Sequence, residues 1–222
     1  MNYIGSKLSL IPFIRAAVED CVGIDLSDRV FCDLFAGTGV VGRSFKSRVR
    51  KVISNDWEYY SYVLNRNYIG NNIALDSQDE LVRELNEMAG VEGGFIFQNY
   101  CYGSGSGRQY FSDENGKKID AIRIQIERWK NNDYISEDMY FFLLATLLES
   151  ADKLANTASV YGAFLKHLKA AAQKSLILEP AYFTTNSNKH EVYCEDANML
   201  IKDIQGDILY LDPPYNPRQY GA

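Results

Sequence analysis

The chain has 222 residues, 46% hydrophobic and 23% charged, a globular balance that excludes a mainly disordered polypeptide. A formal charge of -6 argues against a protein that coats nucleic acid indiscriminately. The basic residues nevertheless gather in three groups: Arg43 to Lys51, Lys117 to Lys130, and Lys166 to Lys174. No run approaches the roughly 18 apolar residues that span a bilayer, and the opening MNYIGSKLSL has no secretory core, so the expected location is the cytoplasm. Four scattered cysteines and two histidines offer no CxxC pair; they read as reduced core residues, with no metal site expected.

In chain order, Val30 to Phe35 is a short apolar strand that ends in the glycine turn Ala36-Gly37-Thr38-Gly39. A helix follows from Val40 to about Ser47, then a strand over Lys51 to Asp56 and a helix over Trp57 to Tyr68. Strand, glycine turn, helix, strand is the pattern of a parallel, doubly wound sheet. Ser77 to Ala89 reads as a helix, and Gly93 opens a Gly-, Ser-, Tyr- and Asn-rich stretch running to Gly116. From Lys117 to Lys174 the spacing predicts helix almost throughout, including an apolar helix around Met139 to Leu148 and another over Tyr161 to Ala172. The α/β alternation returns with a strand at Val192 to Cys194, a short helix from Ala197 to Ile201 and a buried strand over Asp207 to Leu211. The expectation is a discontinuous core, residues 1–75 and 186–222, interrupted by an insertion at 76–185.

Two stretches carry chemistry. Glycine directly after a strand lets bare backbone approach a ligand at the sheet's carboxyl edge, and Asp56 at the next strand's end can accept hydrogen bonds from ribose hydroxyls. The turn is neither the GxGxxG fingerprint nor a phosphate loop, for which the lysine is missing. The sharper signal is Asp212-Pro213-Pro214-Tyr215 after a buried strand. Two prolines fix the Pro213 carbonyl, which with the Asp212 carboxylate gives two acceptors converging on one NH2 group, while Tyr215 offers a surface for stacking a flat heterocycle.

With these blocks, the sequence resembles the Dam-type, alpha-group DNA adenine-N6 methyltransferases. Asn2-Tyr3-Ile4-Gly5-Ser6-Lys7 looks like the family's amino-terminal cofactor motif. Asp33-Leu34-Phe35-Ala36-Gly37-Thr38-Gly39 resembles its glycine-rich motif, Asn55-Asp56 its ribose-binding acidic position, and Asp212 to Tyr215 its catalytic tetrapeptide. The resemblance implies a Rossmann-like α/β core that uses S-adenosylmethionine and yields S-adenosylhomocysteine, with a mostly helical inserted target-recognition domain. It assigns catalysis to Asp212, Pro213, Pro214 and Tyr215, and cofactor binding to Tyr3, Lys7 (near the methionine carboxylate), Asp33, Phe35, Gly37, Gly39, Asp56 and Asp196. Asp196 also reads as a helix N-cap before Ala197. The implied reaction is direct attack of a flipped-out adenine N6 on a sulfonium methyl, with double-stranded DNA as partner.

Within the insertion, Arg108, Gln109 and Tyr110 are candidates for DNA reading, because Arg and Gln pair bidentately with guanine and adenine edges; Lys166 and Lys169 suit phosphates. His167 reads as incidental. Family members continue past the tetrapeptide with strands that complete the sheet. Only four core strands are counted here, which implies a shortened form or a C-terminal segment or second polypeptide supplying the remainder. The alternatives are a non-catalytic fragment that binds DNA or a partner, and an enzyme acting on RNA adenine or a protein glutamine amide.

Overall fold

The computed structural model describes residues 7–157 and 163–213. In chain order its elements are α1 (Ile11–Val22), β1 (Val30–Asp33), α2 (Val40–Phe45), β2 (Lys51–Asn55), α3 (Tyr59–Asn65), α4 (Gln78–Glu87), α5 (Phe95–Tyr100), α6 (Asp113–Asn131), α7 (Glu137–Leu154), β3 (Glu191–Tyr193), α8 (Ala197–Leu200) and β4 (Ile208–Tyr210). They form two compact units: residues 7–74 with 182–213, and residues 75–157 with 163–181.

The first unit is built on a four-stranded sheet of order β3-β2-β1-β4. Every pairing is parallel, with Asp33 of β1 level with Ser54 of β2 and Tyr210 of β4. A parallel sheet needs cover on its faces. One face packs Phe31, Val41, Phe45, Val49, Val52 and Ile69 with Ile14 of α1, and Phe31 stacks on Phe45 at 4.3 Å between centroids. Each such side chain removed from water contributes about 1.5–3 kcal/mol. The other face holds Val30, Cys32 and Ile53.

Helix α1 was not among the elements the sequence pattern singled out. Pro12 opens it, and Ile11, Val18 and Val22 pack against the core beside Ile14. Helix α3 is shorter than expected because the chain passes into a single π-helical turn, Arg66–Gly70. That turn presents the Tyr68 carbonyl to the fully buried Lys46, whose Nζ donates to it at 3.0 Å and to the Asn71 carbonyl at 2.5 Å. Burial, and secondarily Arg43, bring the Lys46 ammonium down to about 8.

The second unit is helical. Helices α6 and α7 each begin at a serine whose side chain accepts an amide of the first turn, Ser112 from Asn115 and Ser136 from Met139, followed by two acidic residues. Helix α6 packs on α5 and α7. Helix α5 lies inside the glycine-rich stretch; Asp120 of α6 fixes its start by accepting the Ile96 and Phe97 amides at 2.9 and 2.8 Å.

The helix expected over Tyr161 to Ala172 is not formed within 163–172. Its amides go elsewhere: Leu165 N donates to the Asn156 carbonyl and Lys169 N to Asn156 Oδ1, while Phe164 bridges to Thr157. Tertiary hydrogen bonds outweigh local periodicity here. No helix among the described residues is long and apolar enough to cross a membrane.

Candidate active site

The glycine turn connects β1 to α2 at the carboxyl edge of the sheet. Gly37 and Gly39 take φ of 53° and 75°, a backbone region that side chains with a Cβ resist. A Cβ on Gly39 would lie 2.5 Å from Asn65 Oδ1. Asn65 is the clasp of the turn: its Nδ2 donates to the Gly37 carbonyl (2.9 Å) and to Ser61 (2.8 Å), and its Oδ1 accepts from Ser54 Oγ (2.7 Å).

Asp56 braces the same turn from β2. Its Oδ2 accepts the Gly37 amide at 2.7 Å and its Oδ1 the Glu58 amide at 2.9 Å. Burial raises the Asp56 carboxyl, and the Glu58 and Gly37 amides pull it back. Next to it, buried Asn55 ties β1 to the segment after β3, donating to the Leu34 and Glu195 carbonyls and accepting the Glu195 amide. Sequence reading missed Asn55 and Asn65 as site residues. The available signal was an asparagine at a buried position, Asn55 ending an otherwise apolar strand and Asn65 on a buried helix face, since a buried amide must find partners.

Asp33, the last residue of β1, is completely buried, and neither carboxylate oxygen has a hydrogen-bond partner. Burial pushes it up to about 7; the Phe35 and Gly42 amides lie near enough to oppose this without reaching hydrogen-bond geometry, and Asp56 and Asp212 add to the rise. Phe35 is half-buried, and Asp196 is exposed and caps α8, accepting the Asn198 amide at 2.7 Å.

Asp212 follows β4, beside the glycine turn's own strand, and is ion-paired with Lys7. Lys7, expected beside a cofactor carboxylate, is thus placed on the carboxylate expected to act in catalysis. Pro213 is exposed. Tyr3, Pro214 and Tyr215 lie outside the described residues. Taken together, the turn, Asp33, Asp56 and Asp212 meet at the ends of three adjacent strands. Among the described residues, no group of three or more His, Cys, Asp or Glu side chains is placed to hold a metal ion.

The residues expected to read DNA belong to the helical unit. Arg108 is exposed, with its guanidinium 5.7 Å from the centre of the Tyr100 ring. Tyr110 is half-buried, edge-on to Tyr100 (5.6 Å) and to Phe164 (5.3 Å). Gln109 is half-buried and its carbonyl accepts from Asn156 Nδ2. Lys166 is exposed, whereas the Lys169 ammonium donates to the Thr157 carbonyl at 3.0 Å. Asn156 is the hub: fully buried, it binds Gln109, Tyr110, Leu165 and Lys169.

Residues 3–222 match the family of D12 class N6 adenine-specific DNA methyltransferases. The chain belongs to that family. It is 66% identical over 222 residues to the type II methyltransferase M.NlaIII of Neisseria lactamica, covering 100% of this chain and 66% of that protein. Against M.FokI of Planomicrobium okeanokoites it is 40% identical over 230 residues, 99% of this chain and 35% of the relative. With M.CviAII of Paramecium bursaria Chlorella virus 1 it shares 39% over 228 residues, 100% of this chain and 66% of the relative. The chain therefore spans just under two thirds of the length of some of these D12 relatives and about a third of another. No solved structure matches it. The α/β architecture, with its parallel sheet, is that expected of a methyltransferase core, and membership implies a methyl donor.

Proposed function

We propose that this chain carries the catalytic and cofactor-binding parts of a site-specific DNA adenine-N6 methyltransferase that uses S-adenosylmethionine on double-stranded DNA, within a restriction-modification system. The observation that carries the reading is the adjacency of β1 and β4. In a parallel sheet this sets the glycine turn next to Asp212 and Pro213 at the carboxyl edge, where ligands of such sheets bind. Family membership and the type II relatives support the same conclusion.

The residues suit a cationic nucleoside. The turn presents backbone without side chains, and Asp56 and Asp212 supply negative charge at the rim, with the buried Asp33 between them. S-adenosylmethionine would supply an electrophilic methyl group. The chain's part is positioning. The adenine N6 lone pair is delocalised into the ring, and hydrogen bonds from its two protons to the Asp212 carboxylate and the Pro213 carbonyl favour a pyramidal nitrogen with an aimed lone pair. Because N6 is engaged in the duplex, the base leaves the stack at a cost of a few kcal/mol. Tyr215 is assigned to receive it, and Arg108, Gln109 and Tyr110 to contact bases, with Lys166 and Lys169 at phosphates. Lys7 must leave Asp212, or share it, when the amine docks. The free cysteines suit a reducing cytoplasm. A C-terminal segment or second polypeptide is the proposed neighbour of β4.

The test is transfer of labelled methyl groups from S-adenosylmethionine to duplex DNA, by the chain alone and together with the part of its M.NlaIII relative that this chain does not span. Wild type labels adenine N6, and Asp212→Ala reduces transfer by at least about 1,000-fold while leaving cofactor binding within a few-fold. Equal transfer by that variant would falsify the acceptor assignment. DNA binding indifferent to the cofactor and to Asp212→Ala would favour a non-catalytic fragment.

A further inference from the structure

Among the polar groups buried in the sheet unit, Lys46, Asn55 and Asn65 hold backbone carbonyls, and Ser54 holds Asn65. Asp33 does not. It shares the Phe31 side of β1, with Gly42 of α2 passing close over it: a Cβ on Gly42 would lie 3.9 Å from Asp33 Oδ2 and 2.9 Å from Ile69. Its register partners are Ser54 and Tyr210, and Asp56 and Asp212 each stand two residues beyond those partners. Two residues of strand are about 7 Å and neighbouring strands about 5 Å apart, so Asp56 and Asp212 stand about 8–9 Å from Asp33, one on each side of it, and about 10 Å from each other along the rim.

Their partners differ. Asp212 has Lys7, and Asp56 has the Gly37 and Glu58 amides. Asp33 has no cation, and the nearby Phe35 and Gly42 amides stop short of hydrogen-bond geometry. The cations of α2 are committed elsewhere, Arg43 over the Tyr68 ring at 3.9 Å and Lys46 to carbonyls. Tyr210 and Cys32, the remaining titratable neighbours, are themselves pushed up to about 12 and about 11, by burial first and then by nearby carboxylates, so both are neutral. Burial without a partner disfavours the charged carboxylate, and two like charges on the adjacent strands disfavour it further.

We propose that Asp33 is a charge sensor: it holds a proton while the cleft is empty and gives it up when a cationic nucleoside enters, so that the cleft prefers a sulfonium nucleoside to its neutral thioether counterpart. This rests on the proposed use of S-adenosylmethionine. Asp33 acts through its field, since it is sealed from solvent. The positive charge of the arriving sulfonium compensates the burial that keeps the carboxyl neutral, and the proton leaves to solvent. After methyl transfer the remaining thioether is uncharged, the compensation is gone, and Asp33 takes a proton back, which loosens product.

Calorimetric titration of the full chain with S-adenosylmethionine and with S-adenosylhomocysteine, in buffers of different ionisation enthalpy between pH 6 and 8, reads this directly. Expected are release of close to one proton at pH 6 for the sulfonium ligand and almost none for the thioether. The preference for the sulfonium grows by about tenfold per pH unit below 7 and flattens above it. In Asp33→Asn the proton release vanishes and the preference falls by about tenfold. A carbon-NMR titration of the Asp33 carboxyl in unsubstituted protein keeps the idea testable if that variant does not fold: its midpoint near neutrality in the free chain should drop by two units or more with the sulfonium alone. Both ligands binding without proton release, or an Asp33 carboxyl already ionised at pH 6 in the free chain, overturns the sensor and leaves the methyltransferase reading intact. Binding of neither ligand overturns both.

Discussion

At the level of single residues, the glycine turn shows how a backbone conformation is paid for by side chains well away in sequence. Gly39 has a φ only glycine adopts cheaply, and the space a methyl group would need is already taken by Asn65. Gly39→Ala should therefore cost about 1–3 kcal/mol of stability, from left-handed strain plus displacement of the clasp. It should also weaken S-adenosylmethionine binding by more than tenfold; denaturant unfolding and calorimetry measure the two. Asn65→Ala should reproduce the loss of binding without the backbone strain, because it releases the Gly37 carbonyl and leaves Ser54 Oγ without its acceptor.

Among the secondary-structure elements, the sheet strands were legible and the long insertion was only partly so. β1, β2 and β4 fall inside the strands expected from apolar runs bounded by turn residues, β3 starts one residue before its expected strand, and α6 and α7 carry the serine caps and apolar spacing that mark helices. Two stretches of the insertion escaped the local pattern for physical reasons. Helix α5 sits among glycines, and its start is secured by a carboxylate on another helix, Asp120, which local pattern does not reveal. The segment expected as a helix over 161–172 instead gives its amides to Asn156, a long-range partner. Asn156→Ala should accordingly speed exchange of the Lys169 amide at least tenfold and lower the stability of the helical unit by about 2 kcal/mol. Hydrogen exchange read by NMR checks it. Of the expected site, the carboxylates and glycines were readable because motifs carry them, whereas Asn55, Asn65 and Lys46 were not, because their value lies in which carbonyl each reaches.

For the molecule as a whole, the half-buried His190 and the buried Asp33 pull the acid response in opposite directions. Burial, with a contribution from Lys46, lowers His190 to about 4, and its Nδ1 accepts the Val52 amide at 2.9 Å, so the folded ring is neutral. Its contribution is present above about 6.5 and is lost as pH falls toward 4, because only the unfolded chain then takes the proton. After allowing for its solvent exposure this amounts to about 1 kcal/mol. Asp33 has the opposite sign: its carboxyl is raised, so stability is gained as pH falls from 7 toward 4, by up to about 4 kcal/mol. Thermal unfolding between pH 4 and 8 should separate them. His190→Gln should flatten the acid loss, and Asp33→Asn should stabilise the protein at pH 8 but not at pH 4.

β4 is one of the two edge ribs of the sheet among the described residues, bonded to β1 along one flank, with Leu209 and Leu211 half exposed. The carboxylate assigned to the chemistry is mounted just past this edge rib. Aim therefore depends on stiffness: a neighbour that zips onto the free flank would narrow the angular wander of Asp212 without ever touching substrate. Turnover would then rise through geometry alone, with affinity for the methyl donor unchanged.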